Sequence, residues 1–471
     1  MSQTVSLPLW LFLLILLFAA VTFASHFLLP SVRWFFRRRL ERAVRRLNQR
    51  LTRPIQPFKL AARHDTIQRL IYDPQVSRAI VDHAAACRVP ENVASQRARR
   101  YAREIVPAFS ASVYFGFAIR AARLVSRALY DVRLDPPGGV LEGLDPEATV
   151  IFVMNHRSNM DYVLVTHLVA EQSALSYAVG EWARVWPLSR LIRAMGGYFI
   201  RRRSRGALYR RILARYVQMA TAGGVTQGIY PEGGLSLDGR LQRPRLGLLS
   251  YIAEHDDPDA RDVVFVPVGL NYDRVLEDSI LTDAARLGRR RFRAPLGLVA
   301  WSTLGLIWGR MRGRFARHGA AAVRFGRPLS LRGFGGGPGV VAPEALADEL
   351  MARIAAAVPV LPVPLLAWLV LAHGTVPRAS LGAAAHDALL RMPEGVAAFG
   401  RQSPEVALGR AADRLLAREL LREEGGILRP APDCETLLTY YANSIAHHFA
   451  APGEQAHDAA TAAEISARAG S

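Results

Sequence analysis

Short β-branched runs alternate with longer segments of helical periodicity between residues 149 and 326, and this alternation most limits the fold of the chain. Helical segments between strands are typical of an α/β fold, in which helices cover the faces of a sheet. The predicted strands are TVIFVM (149–154), GYFI (197–200), VTQGIY (225–230), VVFVPVGL (263–270) and AAVRFG (321–326). We therefore predict an α/β domain with a mixed sheet.

The flanks of this region are predicted to be helical. Proline and glycine turn chemistry around DPPGGVLEGLDPEA marks the change of texture, so we place the α/β domain at residues 131–345. Apolar positions recur at helical spacing on either side, which predicts an N-terminal helical region at 31–130 and a C-terminal helical region at 346–450. Residues 451–471 are poor in large apolar side chains and are predicted to be a flexible tail.

Residues 1–30 are predicted to form a transmembrane anchor. The stretch 7–29 contains no charged residue and is long enough to cross the hydrocarbon core as one helix. The arginines that follow predict that the rest of the chain lies on the cytoplasmic side of the cell (inner) membrane. They stand at positions 33, 37, 38, 39, 42, 45, 46 and 50. A cleaved signal peptide is the alternative, although no basic residue precedes the apolar stretch.

Two further segments raise the question of membrane contact. The arginine-rich stretch 33–50 keeps apolar residues at helical spacing, which suits a helix on an anionic membrane surface as well as a solvated helix. Residues 355–373 are apolar but contain three prolines in their first half, so the uninterrupted part is short for a span. A buried or interfacial helix is predicted there.

The net charge of +20 indicates attraction to an anionic partner. Lys59 is the only lysine, the arginines are dispersed, and no nucleic-acid-binding module accompanies them, so we expect no nucleic-acid partner. The two cysteines, Cys87 and Cys434, lack metal-ligand spacing, which argues against a zinc site or a disulfide framework. No cofactor motif is recognised, and none is predicted.

Three of the predicted strands run directly into polar or charged residues. In open α/β sheets, ligands bind beyond the carboxyl ends of the strands, so these residues are expected to converge. They are Asn155 and His156, Arg201 and Arg202, and Pro231 and Glu232. On the residues alone, the two arginines are equally compatible with a solvated basic face, and Glu232 with a turn.

His156 and Asp161 form a candidate acid–base pair. Five residues on one ideal helix would point about 140° apart, so we place His156 in the turn before a helix and Asp161 on that helix. A carboxylate bonded to one imidazole nitrogen fixes the tautomer and stabilises the imidazolium. The chain lacks a Gly-x-Ser-x-Gly elbow, which favours direct attack by a substrate hydroxyl. A chance histidine near a carboxylate is the alternative.

Four segments in this order resemble the conserved blocks of the membrane-bound glycerol-3-phosphate acyltransferase family. They are NHRSNMDYVL, GGYFIRR, YPEGGLSLDGRLQRPRLGLL and VPVGLNYDRV. Two later segments, VPVLPVPLLAWLVL and LLTYYANSIAHHF, are also similar to features of that family. The resemblance covers roughly residues 60 to 450.

The resemblance implies roles for eight residues. His156 and Asp161 match the catalytic pair, with His156 as general base for the attacking hydroxyl. The remaining matches imply substrate binding: Arg201 and Arg202 at the phosphate, Glu232 and Gly233 in the third block, Arg245 where relatives carry a lysine, and Pro267 at the acyl side.

The third block departs from the family pattern at Leu235, where an arginine or a similar basic pattern is usual. Arg240, Arg243 or Arg245 is a candidate replacement for the missing donor. The acceptor is therefore less firmly predicted than the reaction type.

The resemblance implies transfer of a fatty acyl group to the sn-1 hydroxyl of glycerol 3-phosphate, giving lysophosphatidic acid. Acyl-CoA or acyl carrier protein would be the donor, and the phospholipid membrane a further partner. One alternative is acylation of a lysophospholipid such as 1-acylglycerol 3-phosphate. An alternative of another class is a non-catalytic membrane adaptor that retains the fold.

Overall fold

A computed structural model of the chain describes residues 8–23, 29–134, 138–170, 172–180, 183–201, 206–254, 260–288, 318–335 and 341–449. The chain divides into two compact units, Met1–Pro54 and Ile55–Ser471. The predicted flexible tail, 451–471, lies outside the described residues.

The first unit contains two helices, α1 (Leu9–Phe23) and α2 (Leu29–Asn48). α1 is entirely apolar over its 15 residues, which at the rise of an α-helix corresponds to about 22 Å, short of a hydrocarbon core of about 30 Å. In the described ranges, no helix combines the length and the apolar character needed to cross a bilayer. The described residues thus do not support the predicted transmembrane helix over 7–29, of which 24–28 lie outside them.

Helices precede and follow the strands of the second unit. Those before and between the strands are α3 (Pro57–Leu60), α4 (Arg63–Ile71), α5 (Pro74–Cys87), α6 (Glu91–Ile105), a π-helix (Ser112–Ala118), α7 (Ile119–Leu129), α8 (Gly138–Glu142), α9 (Met160–Val169), α10 (Leu188–Ala194), α11 (Ala207–Ala222), α12 (Leu246–Ala253) and α13 (Asp278–Arg286). Those that follow are α14 (Leu331–Phe334), α15 (Pro343–Ala357), α16 (Pro362–His373), α17 (Leu381–Leu390), α18 (Pro404–Leu416) and α19 (Glu435–Asn443), with 3-10 turns at Arg378–Ser380 and Ala446–His448.

Eight of the described strands form one mixed sheet. They are β1 (Asp131–Leu134), β2 (Thr149–Met154), β3 (Ser176–Gly180), β4 (Tyr198–Ile200), β5 (Gln227–Ile229), β6 (Val263–Tyr272), β7 (Ala320–Phe325) and β8 (Leu329–Ser330). The order is β1-β7-β6-β2-β5-β3-β4, with β8 beside β6. β7 and β8 run antiparallel to β6, whereas the other neighbouring strands are parallel. The predicted mixed sheet is confirmed, and each of the five predicted strands overlaps an observed one.

Helices cover both faces of the sheet, which explains why its central strand is apolar along its whole length. All six residues of β2 are buried. Phe152 and Met154 belong to a core shared with α9, α16 and α19, whereas Ile151 and Val153 belong to a second core shared with α11, α12 and α15. A strand buried on both faces loses the apolar–polar alternation of a half-exposed one.

The C-terminal flank, predicted to be helical, also contains a small antiparallel sheet. Its strands are β9 (Val376–Pro377), β10 (Leu421–Glu424) and β11 (Ile427–Pro430), in the order β10-β11-β9. Gly425 and Gly426 join β10 to β11, and both have the positive φ that a type I′ hairpin turn requires. The apolar segment predicted as a buried or interfacial helix forms α16, which packs against α18 and α19 in the core.

Gly269 in β6 marks the closest approach between the sheet and α15. A Cβ at this position would lie 2.2 Å from the carbonyl oxygen of Ala357, and backbone atoms cannot move aside as a flexible side chain can. Gly269→Ala is therefore expected to lower the free energy of unfolding by about 3 kcal/mol or more. Chemical denaturation monitored by circular dichroism measures the change.

Gly409→Ala is the matched control for Gly269→Ala. Gly409 lies within α18, and nothing lies within 4 Å of an added Cβ. Alanine there is expected to raise the free energy of unfolding by about 0.5–1 kcal/mol. Equal effects of the two substitutions would contradict the close packing of β6 on α15.

Candidate active site

Asn155 fixes the point at which the chain leaves β2. Its side-chain oxygen accepts a hydrogen bond from the Leu270 amide at 2.7 Å, and its side-chain nitrogen donates to the Leu270 carbonyl at 2.9 Å. This pair of bonds continues the β2–β6 ladder by one residue beyond Met154. The next residue, His156, is thereby held at the carboxyl end of the central strand.

His156 and Asp161 form a buried hydrogen-bonded pair. His156 lies in the turn after β2, and Asp161 lies in the first turn of α9, as the sequence predicts. Histidine Nδ1 and aspartate Oδ2 are 2.8 Å apart, and the two side chains are 3% and 0% exposed. The carboxylate holds the proton on Nδ1, which leaves Nε2 with a lone pair. Within the described part of the chain, no protein group bonds to Nε2.

Asp161 accepts three further hydrogen bonds. The amides of Arg157 and Ser158 donate to Oδ2 at 2.7 and 3.1 Å, and the Tyr272 hydroxyl donates to Oδ1 at 2.6 Å. All of these partners are donors, which is the bonding pattern of an ionised carboxylate. The aspartate therefore fixes the shape of the turn as well as the histidine.

Two tyrosines enclose the imidazole of His156. The Tyr230 ring stacks on it, with centroids 4.1 Å apart and planes 27° apart. Tyr162 meets the imidazole edge-on at 5.4 Å and the Tyr230 ring at 4.9 Å. Sequence reasoning missed these rings, although both lie within the segments that carry the resemblance.

Glu232 joins the loop after β5 to the loop that carries His156. Its Oε1 accepts from the His156 amide at 2.8 Å, and its Oε2 accepts from the Gln242 amide at 2.9 Å. Burial raises the pKa of Glu232 to about 7, an effect that nearby Arg157 partly offsets. The sequence placed Glu232 at the site, and the structure gives it contacts that position the loop.

Gly233 and Arg245 lie against each other beside Glu232. Gly233 has a φ of +67°, and a Cβ there would be 2.6 Å from the Arg245 Cδ, so the turn requires glycine. The Arg245 amide donates to the Pro231 carbonyl at 2.8 Å, directly before α12 begins. Arg245 is exposed, so its guanidinium is accessible to a ligand.

Arg157 and Glu277 are further positioning residues that sequence reasoning missed. Arg157 is buried, and it donates to the carbonyls of Gly239 and Ser444, the latter at 3.2 Å. Glu277 accepts from the Ser158 hydroxyl at 2.7 Å and from the side chain of Asn159 at 3.0 Å. Neither residue could be paired with its partners from spacing, because the partners lie 82 to 287 residues away.

Arg201 lies at the same edge of the sheet but not beside His156. The strand register places Ile200 level with Asn155, three strands away, which corresponds to about 14 Å. The guanidinium of Arg201 donates two bonds to Glu104, at 2.9 and 2.7 Å, and Arg184 pairs with the same carboxylate. Arg202 lies outside the described residues.

Pro267 lies within β6 rather than at its end. It pairs with Val153 and accepts a bond from the Gly326 amide at 2.8 Å. Leu270, the partner of Asn155, is three residues farther along, so Pro267 lies about 10 Å back from this end of the strand. The structure therefore does not bring Pro267 into contact with His156. The described residues contain no His/Cys/Asp/Glu group arranged to hold a metal.

Comparisons with known proteins agree with this site. The Acyltransferase family model matches residues 140–271, and the glycerol-3-phosphate acyltransferase C-terminal region model matches residues 302–457. A glycerol-3-phosphate acyltransferase from Xanthomonas campestris is 26% identical over 451 residues, covering 88% of this chain and 49% of its own length. One from Pseudomonas entomophila is 28% identical over 432 residues, covering 84% and 50%. The chain belongs to the glycerol-3-phosphate acyltransferase family.

This member of the glycerol-3-phosphate acyltransferase family spans about half the length of the curated relatives it matches. Among solved structures, a 1-acyl-sn-glycerophosphate acyltransferase from Thermotoga maritima matches 51% of this chain and 75% of its own, with 19% identity and a TM-score of 0.32. The two matched regions meet at the site, since Arg157 in the first donates to Ser444 in the second.

Glu232 is expected to make folding stability depend on pH. The folded pKa of about 7 lies above the ordinary value of 4.5, so the folded state holds this proton more tightly than the unfolded state. The associated stability is present below pH 4.5 and is lost as pH rises through 7. The change is on the order of 3 kcal/mol.

Denaturation of wild type and Glu232→Gln at several pH values measures this contribution. The glutamine variant does not titrate, so the wild-type free energy of unfolding, relative to the variant, is expected to fall between pH 4.5 and 7.5. A difference that is constant across this window would show that the carboxyl keeps its ordinary pKa.

Proposed function

We propose that the chain transfers a fatty acyl group from acyl-CoA or acyl carrier protein to the sn-1 hydroxyl of glycerol 3-phosphate, giving lysophosphatidic acid. The observation that carries the proposal is the buried His156–Asp161 pair, whose Nε2 lone pair has no protein partner in the described ranges. The relatives named glycerol-3-phosphate acyltransferase support the choice of acceptor.

The proposed mechanism is direct acyl transfer with His156 as general base. Nε2 takes the proton from the substrate hydroxyl as its oxygen attacks the thioester carbonyl carbon. Asp161 stabilises the imidazolium that forms, and the tetrahedral intermediate then collapses and releases the thiolate. The thiolate takes the proton back from His156, which restores the neutral imidazole. Burial of the pair keeps competing water away from the thioester.

The acceptor phosphate is proposed to bind the arginines at this end of the sheet. Arg201 and Arg184 converge on the Glu104 carboxylate, and a phosphate presents the same oxygen geometry to a guanidinium fork. Of the arginines that are candidates to replace the basic residue missing at Leu235, Arg245 is favoured, because its side chain lies directly on Gly233 beside the catalytic loop.

A lysophospholipid acceptor is the second candidate, and one observation favours it. Leu235, where the family pattern has a basic residue, packs against the apolar core. An acceptor with its own acyl chain would use such apolar surface better than glycerol 3-phosphate would. The chemistry at His156 is the same for both acceptors, so acceptor competition separates them.

Attachment to the cytoplasmic face of the inner membrane through the N-terminal segment is also proposed. The side chains of α1 from Leu9 to Phe18 are apolar and mostly exposed, and basic residues follow in α2. Within the second unit, Phe117 and Leu124 are exposed on the same helical face as Arg120 and Arg127. Apolar and cationic side chains on one face suit an anionic phospholipid surface, into which the product would partition.

Asp161→Asn tests the mechanism with little change in shape. The amide oxygen can keep the bonds to His156 and the two backbone amides, but the charge that stabilises the imidazolium is lost. We expect kcat to fall by about 10²–10⁴-fold in this variant and in His156→Ala. The measurement is transfer from a long-chain acyl-CoA to radiolabelled glycerol 3-phosphate by the full chain in phospholipid vesicles.

Three outcomes of this assay are informative. Activity on glycerol 3-phosphate that is lost in both variants supports the proposal. Activity on lysophosphatidate alone, lost in the same variants, moves the acceptor and keeps the mechanism. A folded wild type that is inactive with both acceptors and with both kinds of donor favours the adaptor.

Arg201→Gln tests the phosphate site. Loss of the guanidinium is expected to raise the KM for glycerol 3-phosphate by about 10-fold or more, because a charge-assisted contact is removed. Activity on glycerol, which has no phosphate, should change by less than about 3-fold. Initial rates over a range of each acceptor measure both effects.

Arg215→Gln is the matched control for Arg201→Gln. Arg215 bonds to Asp73 at 2.6 Å and has an exposed fraction of 33%, against 34% for Arg201. Its replacement removes a similar ion pair elsewhere and should leave the KM unchanged. Equal effects of the two variants on the KM would show that Arg201 contributes only through the fold.

A further inference from the structure

The hydroxyl of Tyr230 is a buried polar group beside the catalytic histidine that has no hydrogen-bond partner among the described residues. Tyr230 is 9% exposed, and its ring stacks on His156 with centroids 4.1 Å apart. A buried hydroxyl without a partner lowers the stability of the folded state. Such a group next to reacting atoms needs an explanation in terms of a ligand.

Other buried tyrosines of the same core have partners. The Tyr272 hydroxyl donates to Asp161 at 2.6 Å, the Tyr130 hydroxyl donates to the Arg274 carbonyl at 2.9 Å, and Tyr177 accepts from Thr166 at 3.3 Å. Tyr440 also has an unpartnered hydroxyl, but the ring that it contacts is Tyr441. Among the described residues, Tyr230 alone combines an unpartnered hydroxyl with a contact to His156.

The position of Tyr230 places its hydroxyl near the substrate carbonyl. Tyr230 directly follows β5, the parallel neighbour of β2, so its ring and His156 extend from adjacent strands at the same edge. The carbonyl carbon must lie next to the hydroxyl that His156 deprotonates. A phenol on the ring stacked against His156 is therefore within reach of that carbonyl group.

We propose that the Tyr230 hydroxyl donates a hydrogen bond to the acyl carbonyl oxygen of the thioester while that oxygen becomes an oxyanion. The inference rests on the proposed acyl transfer. As the acceptor oxygen bonds to the carbonyl carbon and its proton passes to His156, the C=O π electrons move to the carbonyl oxygen. Collapse of the intermediate re-forms C=O, breaks the C–S bond and returns the proton from His156 to sulfur.

The state of the phenol suits this role. Burial raises the pKa of Tyr230 well above its ordinary value, so the hydroxyl keeps its proton at neutral pH and remains a donor. A preorganised donor in a water-poor site stabilises a developing negative charge more strongly than it stabilises a neutral carbonyl. The contribution should therefore appear in kcat rather than in substrate binding.

Tyr230→Phe removes the hydroxyl and keeps the ring that stacks on His156. We expect kcat to fall by about 10²–10³-fold, with both KM values within about 3-fold of wild type. The acid limb of the pH–rate profile should not move, because the imidazole keeps its neighbours. The thermal midpoint should be unchanged or higher, since the deleted group has no partner in the protein.

Tyr440→Phe is the matched control, because it deletes a second buried and unpartnered hydroxyl that does not contact His156. It should change the thermal midpoint in the same direction and leave kcat within about 2-fold of wild type. Both variants and wild type are assayed as full chains in the same vesicles, with acyl-CoA and glycerol 3-phosphate or lysophosphatidate, whichever wild type accepts.

Several results would overturn the inference. Unchanged kcat in Tyr230→Phe would show that the hydroxyl does not contact the intermediate. A raised acceptor KM alone would assign it to ground-state binding, and a shifted acid limb would show that it acts through His156. A lower thermal midpoint would reveal a structural partner. Absence of turnover by wild type would refute the acyl transfer itself, and the role of Tyr230 would fall with it.

Discussion

The site depends on one buried carboxylate. Asp161 is fully buried, and an ionised group in such a place is tolerated only when hydrogen bonds replace the lost water. The bonds come from His156, from the amides of the intervening turn and from Tyr272 on β6. Satisfying the charge therefore fixes the turn, the tautomer of the histidine and the attachment of α9 to the sheet in a single step.

The same reasoning explains why distant segments meet at this turn. Glu232 holds the backbone of His156 from the loop after β5, and Arg157 reaches the carbonyl of Ser444 near the C-terminal end of the described chain. Both are buried charged groups, so each must find partners where the fold permits. The C-terminal helices are consequently part of the support of the site, and the second matched family region contributes to its geometry as well as to its core.

Sequence reasoning succeeded where the signal was local. The strand 149–154 was predictable because six apolar and β-branched residues precede polar ones, and the placement of His156 and Asp161 followed from helix geometry. β3 was missed because SYAVG contains a single β-branched residue, although burial by neighbouring strands makes it a strand. Tyr230, Glu277 and the Arg201–Glu104 pair were beyond local pattern, because their roles arise from contacts across 74 to 119 residues.

Separation of the catalytic pair from the arginines has a consequence for acceptor choice. His156 and Glu232 follow β2 and β5, which are neighbours, whereas Arg201 follows β4 at the edge of the sheet. Glu104 holds the guanidinium in a fixed orientation, so a phosphate would meet a preformed site but would compete with a carboxylate. Residues near β4 and at Leu235 can therefore change without disturbing the hydrogen bonds of Asp161. The fold allows one acyl-transfer device to serve acceptors of different shape, since the chemistry and the recognition of the acceptor rest on different strands.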